Sequence, residues 1–111
     1  MTTVIPLEDL RLSETAALFE GGPDVPVSIF VVEYEPGRRV AQHLHPYPEV
    51  FVVHAGTARF TVAGEDTVVP AGAVVVVPAD TSHGFACEGD HTLRVVSVHP
   101  SPKVEQVNLE T

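Results

Sequence analysis

Three side chains able to ligate a metal lie within seven residues of one another: His43, His45 and Glu49, in the stretch GRRVAQHLHPYPEVFVVHAG from Gly37 to Gly56. A fourth, His83, lies in GAVVVVPADTSHGFAC, from Gly72 to Cys87. His43 and His45 are two apart, and on an extended strand such residues project to the same face. Their imidazoles can therefore share one ion. Pro46 and Pro48 have no backbone donor for a sheet ladder, so the strand should end near His45 and the chain should turn. Glu49 then opens EVFVV, whose β-branched and aromatic residues favour a strand. An antiparallel return brings Glu49 back beside His45, and His83 arrives from a later strand.

Three imidazoles and one carboxylate form a mixed nitrogen and oxygen donor set. It suits one divalent transition ion, iron, manganese, nickel, copper or zinc, and not calcium, which prefers oxygen alone. Four protein ligands leave a position open on a five- or six-coordinate ion, as metal catalysis requires. In such a site Glu49 can serve as ligand and as base.

Stepping outward, the positioning elements read as short strands separated by turns. VSIFVVEYEPG (27–37) ends in a Pro-Gly turn, residues 38–45 carry the histidines, and EVFVVH (49–54) follows. TARFTVAG alternates Ala58, Phe60 and Val62 with Arg59 and Thr61, the pattern of a half-buried antiparallel strand. Strands over 73–78, 82–87 and 91–99 complete a set that reads as a β-sandwich or barrel, with SPKVEQVNLE as a last edge strand. Residues 1–26 are the least regular part. They are expected to form an arm, an edge strand or irregular chain dressing the barrel of residues 27–111.

The motif spacing resembles that of the cupin family. Its first motif places five residues between Gly and His-x-His, then three or four before Glu and six before a final Gly. Gly37, His43, His45, Glu49 and Gly56 fit every position. Its second motif runs Gly, five residues, Pro-x-Gly, two residues, His, three residues, Asn. Gly72, Pro78 and His83 fit, while Asp80 replaces the Gly and Cys87 the Asn. The ligand set is untouched by these departures, and Asp tolerates the left-handed backbone that Gly would adopt in such a turn. The resemblance covers residues 27–99 and implies an all-β double-stranded β-helix, or jelly-roll barrel, around a metal. It also implies that N-terminal strands add to a partner's sheet.

If Glu49 points inward, the period of two sends Phe51 and Val53 inward as well; the same argument carries Phe85 and Cys87 with His83. The pocket should then be apolar and accept an aromatic or enolic small molecule. Phe51, Phe85, Tyr47 and Cys87 are its expected lining. Packing against Pro46 and Pro48 is the alternative role of Tyr47, and burial as a small apolar group that of Cys87. Arg39 shares the face of His43 if the strand is regular that far. His54, His91 and His99 are expected away from the metal, at an outward position, a turn and a strand end.

The 111 residues bound one domain, and a 44% hydrophobic fraction is enough for a core. A net charge of −9 opposes binding to nucleic acid and to anionic membranes. No apolar run is long enough to span a membrane. One cysteine makes no internal disulfide, and with no secretory signal the expected compartment is the cytoplasm. Three stretches, 50–53, 74–77 and 95–96, fail to alternate, so their outer faces should be covered; a homodimer is expected. The run of valines from Val74 is expected to be core. Cupins with this ligand set include dioxygenases acting on enols and phenols, which is the leading expectation. A non-redox isomerase, cyclase or lyase and a binding protein without catalysis are the alternatives.

Overall fold

The structure is a computed structural model describing residues 2–110. A 3₁₀ turn at Leu7–Leu10 precedes ten strands: β1 (Ala16–Gly22), β2 (Val25–Tyr34), β3 (Arg39–Leu44), β4 (Glu49–Ala55), β5 (Thr57–Val62), β6 (Glu65–Pro70), β7 (Ala73–Val77), β8 (His83–Glu88), β9 (Leu93–His99) and β10 (Val107–Asn108). They form two five-stranded antiparallel sheets, ordered β1-β2-β9-β4-β7 and β10-β3-β8-β5-β6. The chain passes repeatedly between the two sheets, as in a double-stranded β-helix.

Alternation builds the core. Phe51 and Val53 of β4, Ala58 and Phe60 of β5, Phe85 and Cys87 of β8, and Leu93 and Val95 of β9 all turn inward and are buried. Phe51, Phe60 and Phe85 pack on one another with ring centroids 5.0–5.7 Å apart. Full burial of each such ring contributes about 2–3 kcal/mol.

Three local features differ from the sequence-based expectation. The arm before residue 27 forms an edge strand, one of its two expected forms, but it joins its own chain's sheet rather than a partner's. β1 pairs with β2 of its own chain, Ala16 opposite Val32 and Phe19 opposite Ile29, and Leu7 and Leu10 lie over the outer side of this pair beside Ala17 and Val31. Second, the valine run is not wholly core. Val75 and Val77 face inward, but Val74 and Val76 are 61% and 63% exposed. Four identical residues contain no alternation from which a face could be read. Third, a bulge between Val40 and His43 breaks the register of β3 against β8. Arg39 is therefore not on the His43 face; it is exposed and paired with Glu110 at 2.9 Å.

The turn before His83 shows the backbone geometry that the second motif requires. Asp80 adopts φ of +58° in the turn before His83, the left-handed conformation of the glycine it replaces. Its N–H donates to the His45 carbonyl at 2.8 Å, joining the two motifs directly.

Candidate metal centre

The two motifs meet between the sheets. His43 is the second-last residue of β3, His45 lies just past its end, Glu49 begins β4 and His83 begins β8. All four are buried, and one ligand atom from each lies within 4.8 Å of the others.

Hydrogen bonds on the far side of each ring set the tautomers. Nδ1 of His43 lies 2.7 Å from the Ala41 carbonyl, that of His45 2.6 Å from Glu105 and that of His83 2.9 Å from Thr81. A carbonyl only accepts, so each Nδ1 carries the proton and each Nε2 keeps its lone pair. Outer-sphere bonds of this kind orient histidines in metal sites. The inner atoms are then all acceptors. Nε2 of His45 and of His83 stand 3.1 Å and 3.0 Å from the same oxygen, Oε1 of Glu49. Among the described residues the buried His45 Nε2 has no hydrogen-bond partner. Lone pairs facing each other at this distance require a cation between them, a proton or a metal ion. The donor set thus fits a divalent transition ion.

The electrostatics agree. Burial opposes charge on Glu49, but the imidazoles of His45, His83 and His99 gathered around it outweigh that cost and hold the carboxyl far below the usual carboxylate range. Burial lowers His45, but the adjacent Glu49 carboxylate and the bond to the Glu105 carbonyl leave it raised. His43 is lowered, chiefly by burial, reinforced by the neighbouring His83 and His45. His45 is therefore the more basic of the two in the absence of metal.

A cavity of about 110 Å³ opens from the centre. His43, His45, Glu49, Ser97 and His99 form its polar end, and its walls include Phe30, Val32, Tyr34, Phe51, Phe85 and Val95. No Lys or Arg lines it. Phe51 and Phe85 are thus cavity residues. Tyr47 and Cys87 are not among the lining. The Tyr47 hydroxyl bonds His99 Nδ1 at 2.9 Å, and its ring stacks on His45 at 5.1 Å. Cys87 donates to the His91 carbonyl within the core. Tyr34, Ser97 and His99 are cavity residues that sequence reasoning missed. His54 and His91 are exposed, whereas His99 is buried with Nε2 3.0 Å from Glu49 Oε2. Its signal was the alternation Leu93, Val95, Ser97, His99, masked by the neighbouring Val96.

This fold and donor geometry define a double-stranded β-helix with a metal-binding centre. The cupin-domain family profile matches residues 30–99, and the chain belongs to that family. A polyketide synthase named CurC, from Streptomyces cyaneus, is 34% identical over 80 residues, which are 68% of this chain and 52% of that protein. The chain thus spans about half of that relative's length. Among solved structures, an uncharacterized conserved Klebsiella pneumoniae protein with a double-stranded β-helix domain superposes with a TM-score of 0.80, at 20% identity and full coverage of both chains. An oxalate decarboxylase of Lactobacillus farciminis superposes at 0.77 with 24% identity, over 92% of this chain and 34% of that one. These two likenesses show the shared fold. Among the described residues no helix is long and apolar enough to cross a membrane.

Proposed function

We propose that the protein is a divalent-metal-dependent enzyme that acts on a small aromatic or enolic molecule, with dioxygen as co-substrate. The observation that carries this reading is the preset donor set: three Nδ1–H groups bonded to carbonyls, three Nε2 lone pairs and one carboxylate, at the end of an apolar cavity. His43, His45, Glu49 and His83 would hold the ion, which supplies Lewis acidity and, if redox-active, a meeting point for substrate and oxygen. Phe51, Phe85 and Tyr34 would flank an aromatic ring and exclude water. Glu49, kept ionised by its neighbours, would serve as the carboxylate ligand of that ion. The lack of a cationic lining disfavours oxalate, a dianion, as substrate.

The likeness to a polyketide synthase favours one second reading. A poly-enolic chain fits the same apolar walls, and a cyclisation that consumes no oxygen needs the same polarised oxygen. A second copy of this chain is the partner we assign to the outer face of the β1-β2-β9-β4-β7 sheet. Two apolar rows cross that face, Phe19-Ile29-Val98-Val50-Val76 and Ala17-Val31-Val96-Val52-Val74. The 3₁₀ turn lies over the β1 end. The β7 end is bare and uncharged, which suits an isologous contact with an identical patch.

Metal analysis of protein purified without chelator, beside His45→Ala, tests the centre. One equivalent of a transition metal, lost in the variant, is expected. Oxygen uptake with phenolic and enolic compounds should then follow the metal. Turnover that persists under anaerobic conditions would overturn the dioxygen reading in favour of cyclisation. Metal-free protein that cannot be reconstituted would overturn both.

A further inference from the structure

Glu49 has two oxygens, and the structure treats them differently. Oε1 faces Nε2 of His45 and His83; Oε2 is 3.0 Å from Nε2 of His99. The topology dictates that second neighbour. β9 lies beside β4 with Val98 opposite Val50, and one further step of that register sets His99 beside Glu49. Leu93, Val95 and Ser97 share its inward face and fix the direction of the ring.

His99 is bonded unlike the other three histidines. Their Nδ1 atoms meet backbone carbonyls; its Nδ1 meets the Tyr47 hydroxyl at 2.9 Å. The Glu105 N–H donates to that hydroxyl oxygen at 3.2 Å. One direction satisfies every group: Glu105 N–H to Tyr47 oxygen, Tyr47 O–H to His99 Nδ1, and His99 Nε2–H to Glu49 Oε2. Ser97 Oγ, 3.4 Å from the same Nε2, is the more distant partner. His99 and Glu49 are almost fully buried, at 1% and 3% exposure, so water does not compete for these bonds.

We propose that His99, anchored by Tyr47, is a positioning residue that holds Glu49 with Oε1 toward the three-histidine centre and Oε2 withheld from it. The inference rests on the metal reading above. A carboxylate with both oxygens free can take two positions on an ion. With Oε2 engaged by His99, Glu49 would offer an ion Oε1 alone, which would leave room for a substrate oxygen on the cavity side, where His99 itself lies.

The test uses Co(II) as the probe, with affinity from chelator competition, coordination from visible absorption and folding from circular dichroism. The proteins are the wild type, Tyr47→Phe, His99→Gln and His99→Leu. His99→Leu is expected to bind Co(II) about 10–100-fold more weakly, with altered absorption bands. Tyr47→Phe, which removes one oxygen atom, should shift both readouts in the same direction by less. His99→Gln, which keeps an N–H of similar reach, should recover part of the loss. Unchanged affinity and superimposable spectra in folded Tyr47→Phe and His99→Leu would overturn the inference and leave the metal reading standing. If His99→Leu does not fold, Tyr47→Phe decides alone. Failure of the wild type to bind Co(II) would overturn the metal reading and this inference together.

Discussion

Gly37 and Gly56 bound the first motif, and both adopt positive φ, +87° and +74°. Replacing each with alanine should nevertheless have unequal consequences. A Cβ on Gly37 meets nothing within 4 Å, whereas one on Gly56 would collide with the Thr92 carbonyl oxygen and come within 2.9 Å of Leu93 Cα. The left-handed conformation costs an L-residue about 1–2 kcal/mol. Reduced freedom of the unfolded chain returns about 0.4–1 kcal/mol of that. Gly37→Ala should therefore destabilise by about 1 kcal/mol. Gly56→Ala adds an overpacking term of about 1–3 kcal/mol, because the obstacle is backbone at the start of β9 and cannot rotate away. A net loss of about 3 kcal/mol is expected. With a urea slope of about 1.5 kcal/mol per molar, the midpoint should fall by roughly 2 M for Gly56→Ala and roughly 0.7 M for Gly37→Ala. Equal midpoints for the two variants, or a larger loss at Gly37, would refute the close packing of the β4–β5 turn against β9.

The remaining predictions concern the surface, the centre and the thiol. A Val74→Glu, Val76→Glu double variant should sediment as a monomer where the parent sediments as a dimer, with little loss of stability because both side chains are exposed; a monomeric parent would remove the dimer reading. Because His45 is raised in the metal-free protein and ligation needs its neutral form, metal affinity should fall as pH drops through that raised value, releasing a proton on binding. Isothermal titration in buffers of different ionisation enthalpy would detect that proton, and buffer-independent heats would contradict it. Burial, aided by the charges of Glu35 and Glu88, pushes the Cys87 thiol up and so lowers its thiolate fraction. A disulfide thiol reagent should leave native protein unmodified and label one thiol in urea.

How much of this was legible in the sequence depends on whether a residue's face could be counted from a fixed point. Phe51 and Phe85 could be placed in the cavity because Glu49 and His83 anchor their strands and the period of two does the rest. Proline punctuation located the turn between His45 and Glu49. Arg39 could not be placed, because the bulge in β3 inserts a change of face that leaves no mark in GRRVAQH. The valine run carried no alternation, so which of its residues face inward could not be read from it. His99 illustrates a third obstacle. Its face was countable from Leu93 and Val95, but its importance lies in its lateral neighbour, and no sequence pattern states that β9 lies beside β4. Tyr47 was visible as a residue near the pocket, yet its role runs through His99 and so shared the same obstacle.

The segment after β9 touches the centre as well as the barrel. The Glu105 carbonyl accepts from His45, its N–H reaches Tyr47, β10 pairs with β3, and the Glu110 carboxylate meets Arg39 and the Gln42 N–H. β10 has only two residues, both exposed, so little apolar burial holds it. Its attachment is instead shared with a ligand ring whose orientation an ion would restrain. By reciprocity, whatever free energy the strap lends to the metal, the metal returns to the strap. Slower amide exchange at Val107 and Asn108 on loading would make that terminal ribbon a built-in reporter of occupancy.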